Sequence, residues 1–157
     1  MIRIQEDDFD LGHELSRMRA NRTEIGAIAS FVGLMRDLND GDNVTRMRLE
    51  HYPGMTEQSI EETVTHASER WPLIDVTVIH RVGELSPGDQ IVLVAVASRH
   101  RGAAFEACEF VMDFLKTRAP IWKKEHVIDG TSRWVNSRSS DDEAARRWQK
   151  NHPDASS

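Results

Sequence analysis

A single cysteine in 157 residues excludes an internal disulfide and any cysteine-based zinc framework. No apolar run approaches the ~20 residues needed to cross a bilayer, so no membrane partner is expected. The start, Met1-Ile2-Arg3-Ile4-Gln5-Glu6-Asp7-Asp8, has neither the basic opening nor the apolar stretch of an export signal, and the cytoplasm is the expected location. An excess of positive charge is missing as well: 20 Lys and Arg stand against 26 Asp and Glu, a formal net charge of -6. Binding to a phosphate backbone wants a basic surface, so nucleic acid is not expected as a partner, although a local cationic pocket remains compatible. There is no Gly-x-Gly-x-x-Gly, no P-loop and no His-Glu-x-x-His. The seven histidines do not pair at metal-ligand spacing, so neither a metal nor a cofactor is expected.

What is present reads as one globular domain. Hydrophobic residues make up 39% and charged residues 29%, with both signs interspersed. Neither a repeat nor a linker splits the chain, so residues 1–150 are expected to form one domain and 151–157 a frayed tail. Leu11, Leu15 and Met18 behind Asp10 predict a short capped helix. Glu24 to Val32 is small and apolar and predicts a central strand, ended by Gly33 and Arg36. The turn residues from Asp37 to Asn43 predict an exposed, mobile loop. From Val44 to Tyr52, Met47, Leu49 and His51 alternate with charged residues, the pattern of a half-buried strand. Pro53-Gly54 breaks it. Ile60, Val64, Ala67 and Trp71 then mark the core stripe of a second helix, stopped by Pro72.

Further on, Ile74, Val76, Val78, His80 and Val82 alternate as a strand. The turn Ser86-Pro87-Gly88-Asp89 joins it to the apolar run Ile91–Ala97 as a hairpin partner. Ala104, Cys108, Val111 and Leu115, widened by Phe105 and Met112, form the stripe of a helix that Pro120 closes. Trp122 to Val135 is less periodic and predicts a loop plus an edge strand around Trp134-Val135. Asp141 to Gln149 predicts a last helix capped by Ser140 or Asp141. Neighbouring strands joined by short turns favour an α+β fold, a mostly antiparallel sheet covered by helices.

Chemistry gathers around the helix from Ala103 to Arg118. His100 and Arg101 stand where a strand hands over to its first turn, and a cation there opposes the helix dipole. Residues that break a local rule point to function, and free backbone N–H groups with added cations make an anion site. Arg36 leaves its strand in a similar way. Lys116 closes the helix and Lys123 follows Pro120, and together these residues would form a tight cationic cluster. A lysine in a last turn also simply complements the dipole, and Lys123-Lys124-Glu125 also suits an ordinary charged face. The functional alternative is a lysine crowded by Arg101, partly desolvated by Trp122 and suited to proton transfer. The residues alone leave these readings level. Cys108 lies on the apolar stripe and is expected to be an inert core thiol.

Five segments follow one another in a fixed order: Phe31-Val32-Gly33-x-x-Arg36; Leu49-Glu50-His51-Tyr52-Pro53-Gly54-Met55; His80-Arg81-Val82-Gly83-x-Leu85-x-x-Gly88; Ser98-Arg99-His100-Arg101-x-x-Ala104-Phe105; and Lys116-x-x-x-Pro120-Ile121-Trp122-Lys123-Lys124-Glu125. The order resembles the large, catalytic subunit of molybdopterin synthase, over roughly Phe31 to Trp134. The resemblance implies an α/β hammerhead-like fold and a sulfurtransferase of molybdenum cofactor biosynthesis. Such an enzyme converts cyclic pyranopterin monophosphate into molybdopterin. Two sulfurs come from the C-terminal Gly-Gly thiocarboxylate of a small ubiquitin-like subunit, no metal taking part. It also implies a heterotetramer around a dimer of large subunits. Lys116 and Lys123 match the catalytic lysines of that family, His100, Arg101 and Arg36 its anion pocket, and Arg138 an arginine that reaches the neighbouring subunit's site. Two other functions compete: a non-catalytic module binding an anionic metabolite or a ubiquitin-like tail, and a phosphate-ester hydrolase using His100.

Overall fold

The protein's structure is a computed structural model that describes residues 1–39, 41–135 and 139–150. The most buried strand, β7 (Gln90–Ser98), explains the architecture. Its side chains alternate between two faces, yet almost all are apolar, so both faces must be covered. Val92, Val94 and Val96 point to a core shared with helices, while Leu93, Ala95 and Ala97 point to a second core on the opposite face. The strand lies between β5 (Leu73–Arg81) and β2 (Ala27–Leu34), both antiparallel to it. β1 (Ile2–Gln5) adds to the far side of β5 in parallel, giving the order β1-β5-β7-β2. The predicted central strand at Glu24–Val32 is therefore an edge strand, shifted to start at Ala27 and to run through Gly33. Its apolar composition reflects helix packing on one side, and Phe31 and Leu34 remain exposed.

On one face lies α1 (Leu11–Arg19), which starts where the Asp10 carboxylate accepts a 2.8 Å hydrogen bond from the His13 N–H. Phe9 and Met18 fill the core beneath it. The other face carries α2 (Met55–Arg70), α3 (Arg101–Thr117) and α4 (Ser139–Lys150). α2 begins at Gly54, whose φ of 86° suits glycine and whose N–H donates to the Glu57 carboxylate at 2.6 Å. α4 is held by its Trp148, which packs edge-on against Trp71 and Phe110 at 5.5 Å and donates its indole N–H to Asp113 at 2.7 Å. Among the described residues no helix is long and apolar enough to cross a membrane.

A second sheet is built on β4 (Asp42–His51), with β8 (Ile121–Val127) and then β9 (Ser132–Val135) beside it, and β6 (Gly83–Leu85) also pairing with β4. Two expectations fail here. The loop predicted from Asp37 contains β3 (Leu38–Asn39), paired with Asn43 and Asp42 at the start of β4. The stretch after Trp122 is a regular strand and not a loop; β8 pairs with β4 from Val44 to His51. Its periodicity was hidden because Lys123 and Glu125 face inward where apolar residues are expected. The class remains α+β, with mostly antiparallel strands. A third core, of Met35, Val44, Met47, Leu49, Val82 and Leu85, underlies the second sheet.

Candidate active site

A cavity of about 530 Å³ opens where the C-terminal end of α3, strand β8 and the segment after β2 meet. Met35, Met47, Leu49, Ile91 and Leu115 give it an apolar lining; Arg36, His80, Lys116, Arg118, Lys123, Glu125 and Asp141 supply polar groups. Among the described residues, four cations against two carboxylates leave a positive balance suited to an anionic ligand.

Each cation is held by ordinary folding forces. Arg36 follows Met35, whose side chain is buried and whose backbone is tied to the Ser86–Asp89 turn. The Met35 N–H donates to the Asp89 carbonyl at 2.9 Å, and the Met35 carbonyl accepts from Gly88 at 2.8 Å. Lys116 follows buried Leu115 in the last turn of α3, where a cation complements the helix dipole. The chain leaving that helix is fastened to α2: Ser59 donates to the Arg118 carbonyl at 3.3 Å and Thr56 to the Pro120 carbonyl at 2.9 Å. β8 then runs alongside β4, with Lys123 opposite Leu49. Strand alternation puts Lys123 and Glu125 on the cavity side. Lys124 falls on the opposite face, its ammonium 5.6 Å from the centre of the Trp134 ring. Trp122 is partly exposed at the cavity, with its ring centre 6.1 Å from that of Tyr52.

Three of the expected site residues, Arg36, Lys116 and Lys123, therefore meet. His100 and Arg101 do not join them. His100 is the N-cap of α3 and Arg101 its first residue, whereas Lys116 is near its end. Fifteen residues at 1.5 Å rise separate Arg101 from Lys116 by about 22 Å. The tight cluster of cations expected around that helix is thus two clusters, and Arg101 is not what crowds a lysine. Arg138 lies outside the described residues.

Two cavity residues escape a reading of the sequence for sites. Glu125 is only 2% exposed and pairs with Arg133 at 3.5 Å. His80 ends the buried stripe of β5, with its Nδ1 2.7 Å from the Arg81 carbonyl. Burial, and then the charges of Lys116, His51 and Lys123, lower its pKa to about 4, so the ring is neutral near pH 7. One signal was there: a histidine takes the place of a fourth apolar residue after Ile74, Val76 and Val78. Arg81 next to it is structural, its guanidinium donating to the Glu6 and Gln90 carbonyls at 2.9–3.1 Å. Among the described residues no group of three His, Cys, Asp or Glu side chains gathers as for a metal ion.

The sequence profile of the family described as "MoaE protein" matches residues 4–118, a span that includes Arg36 and Lys116. The molybdopterin synthase catalytic subunit of Ralstonia nicotianae is 60% identical over 147 residues, covering 94% of this chain and 83% of the relative. The solved structure of the molybdopterin biosynthesis MoaE protein from Burkholderia ambifaria MC40-6 is 57% identical, with a TM-score of 0.81 over 95% of this chain and 97% of the other. The crystal structure of molybdopterin synthase from Staphylococcus aureus is 31% identical, with a TM-score of 0.77 over 85% and 95% of the two chains.

Proposed function

The chain belongs to the MoaE protein family, and from that premise we propose that it is the catalytic subunit of a molybdopterin synthase. It converts cyclic pyranopterin monophosphate into molybdopterin by taking two sulfurs from the C-terminal Gly-Gly thiocarboxylate of a small ubiquitin-like subunit. The observation that carries this reading is the convergence of Arg36, Lys116 and Lys123, far apart in sequence, on one cavity. The cyclic phosphate and the thiocarboxylate are both anions, and an apolar lining strengthens their attraction to the cations around them. Arg36 holds the phosphate, Lys116 is the principal acid/base during attack by the thiocarboxylate, and Lys123 orients the incoming tail.

His100 and Arg101 enter through symmetry. Carried at the far end of α3, they serve the cavity of a second copy, so that two large subunits form the core of a heterotetramer with two small ones. Arg138 is assigned to that neighbouring site as well. Residues 1–150 make up the catalytic domain, and the enzyme works in the cytoplasm.

A mass spectrum tests the proposal. This protein is mixed with cyclic pyranopterin monophosphate and a small ubiquitin-like partner ending in a glycine thiocarboxylate. A pterin product carrying two sulfurs, matched by loss of sulfur from the partner, is expected. Unchanged pterin with the partner bound would mean a binding module, and pterin consumed without gaining sulfur would mean a hydrolase.

A further inference from the structure

The cations around the cavity offer only hydrogen-bond donors, and like charges drive them apart. His80 is the one imidazole among the described lining residues, and its geometry settles which nitrogen is available. A carbonyl oxygen accepts and cannot donate, so the 2.7 Å contact with Arg81 fixes the proton on Nδ1 and leaves the lone pair on Nε2. The groups that share this cavity or act on His80 come from every neighbouring element: Lys116 from α3 and Arg118 just past it, Lys123 and Glu125 from β8, His51 from the end of β4, Arg36 after β2, and Asp141 from α4. With a pKa of about 4, the ring holds a second proton in only about one molecule in a thousand at pH 7. That is too weak a base to store a proton, and it adds no positive charge to the cavity. What remains is a neutral acceptor in a place crowded with ammonium and guanidinium donors.

We propose that His80 is the positioning residue for Lys116: when the Lys116 side chain turns in from the rim, the free Nε2 accepts a hydrogen bond from its ammonium and holds it over the cavity, against repulsion from Lys123 and Arg36. The assignment rests on the sulfurtransferase reading, because it gives Lys116 the acid/base work. Lys116 itself is solvent-exposed at the rim, and without a partner a long side chain there samples many rotamers. An acceptor fixed by a strand end restricts that freedom, which is what a proton-transferring group needs.

The contact is tested first on the full chain by 15N NMR of its histidines at pH 7. His80 is expected as the Nδ1-protonated tautomer, with its Nε2 resonance displaced in the sense of an accepted hydrogen bond, a displacement lost in Lys116→Ala. Sulfur-transfer kinetics then separate positioning from packing. His80→Phe is expected to lower kcat about 10- to 100-fold while KM for the pterin stays within about twofold. His80→Gln, whose amide oxygen accepts, is expected to remain within about fivefold of wild type. An Nε2-protonated ring, an Nε2 resonance indifferent to Lys116→Ala, or a His80→Phe enzyme with full kcat would each overturn the assignment. Should His80→Phe fail to fold, the glutamine variant and the spectra still decide. If the wild-type protein transfers no sulfur, the functional reading falls, while the two spectra still report on the contact.

Discussion

The one thiol, Cys108, lies on the buried stripe of α3 and donates weakly to the Val94 carbonyl at 3.7 Å. Burial, and to a lesser degree the neighbouring Glu109 carboxylate, push it up to about 11 from an ordinary 9.0. Two units leave about a hundredfold less thiolate at pH 8, before any loss of access is counted. Because the folded value is the higher one, the contribution of Cys108 to stability is complete below pH 9 and is lost as pH rises through 11. Iodoacetamide labelling of the folded protein at pH 8 is therefore expected to be at least about a hundredfold slower than labelling of the unfolded chain. Cys108→Ser is expected to turn over within about twofold of wild type. Labelling at the unfolded rate, or a folded but inactive serine variant, would make the thiol part of the chemistry. Apolar spacing alone was enough to place Cys108. It was not enough to separate Lys123 from Lys124, which needs the facing direction of β8, and that direction is fixed only by pairing with β4.

Strands and helices whose own periodicity is strong were legible: α1, α2, α3, β4, β5 and β7 fall close to where their apolar spacing predicts. β8 was not, because its inward positions carry the charged Lys123 and Glu125, which break the apolar alternation by which a strand is recognised. The place of β2 in its sheet was not legible either, since an edge strand covered by a helix has the composition of a central one. Gly26, just before β2, shows how closely these elements approach. Its N–H donates to the Ser98 carbonyl at 3.0 Å, and an added Cβ would lie 2.0 Å from the Arg99 carbonyl oxygen. That obstacle is backbone, one residue before the His100 cap of α3, so it cannot swing aside. Gly26→Ala is expected to destabilise the fold by about 3 kcal/mol through overpacking. In thermal unfolding this appears as a Tm about 6–12 °C lower. A Tm within about 2 °C of wild type would mean that the strand ends part easily and that the close approach is not needed.

For the whole molecule, the difficulty lies in the length of α3. The sequence gathers His100, Arg101, Lys116 and Lys123 into one stretch, and a reading confined to one chain expects one cluster. The helix makes that impossible, placing Arg101 about 22 Å from Lys116. If both ends act on one substrate, each site must be completed by the other subunit of a two-fold dimer, an arrangement invisible in a single sequence. Mixing inactive chains tests this. Lys116→Ala and Arg101→Ala homodimers are each expected to be inactive or nearly so. In a mixed dimer, one site receives Lys116 from the Arg101→Ala chain and Arg101 from the Lys116→Ala chain, and so is intact; the other site lacks both. With equal expression, half the dimers are mixed and half their sites intact, so co-expression is expected to restore about a quarter of wild-type turnover. A double variant co-expressed with wild type distinguishes this from chance recovery, because its mixed dimers have no intact site if the groups come from different chains. Co-expression of the two single variants without recovered turnover would mean that Arg101 and Lys116 serve separate tasks, and the anion pocket would then have to be built from Arg36 and its neighbours alone.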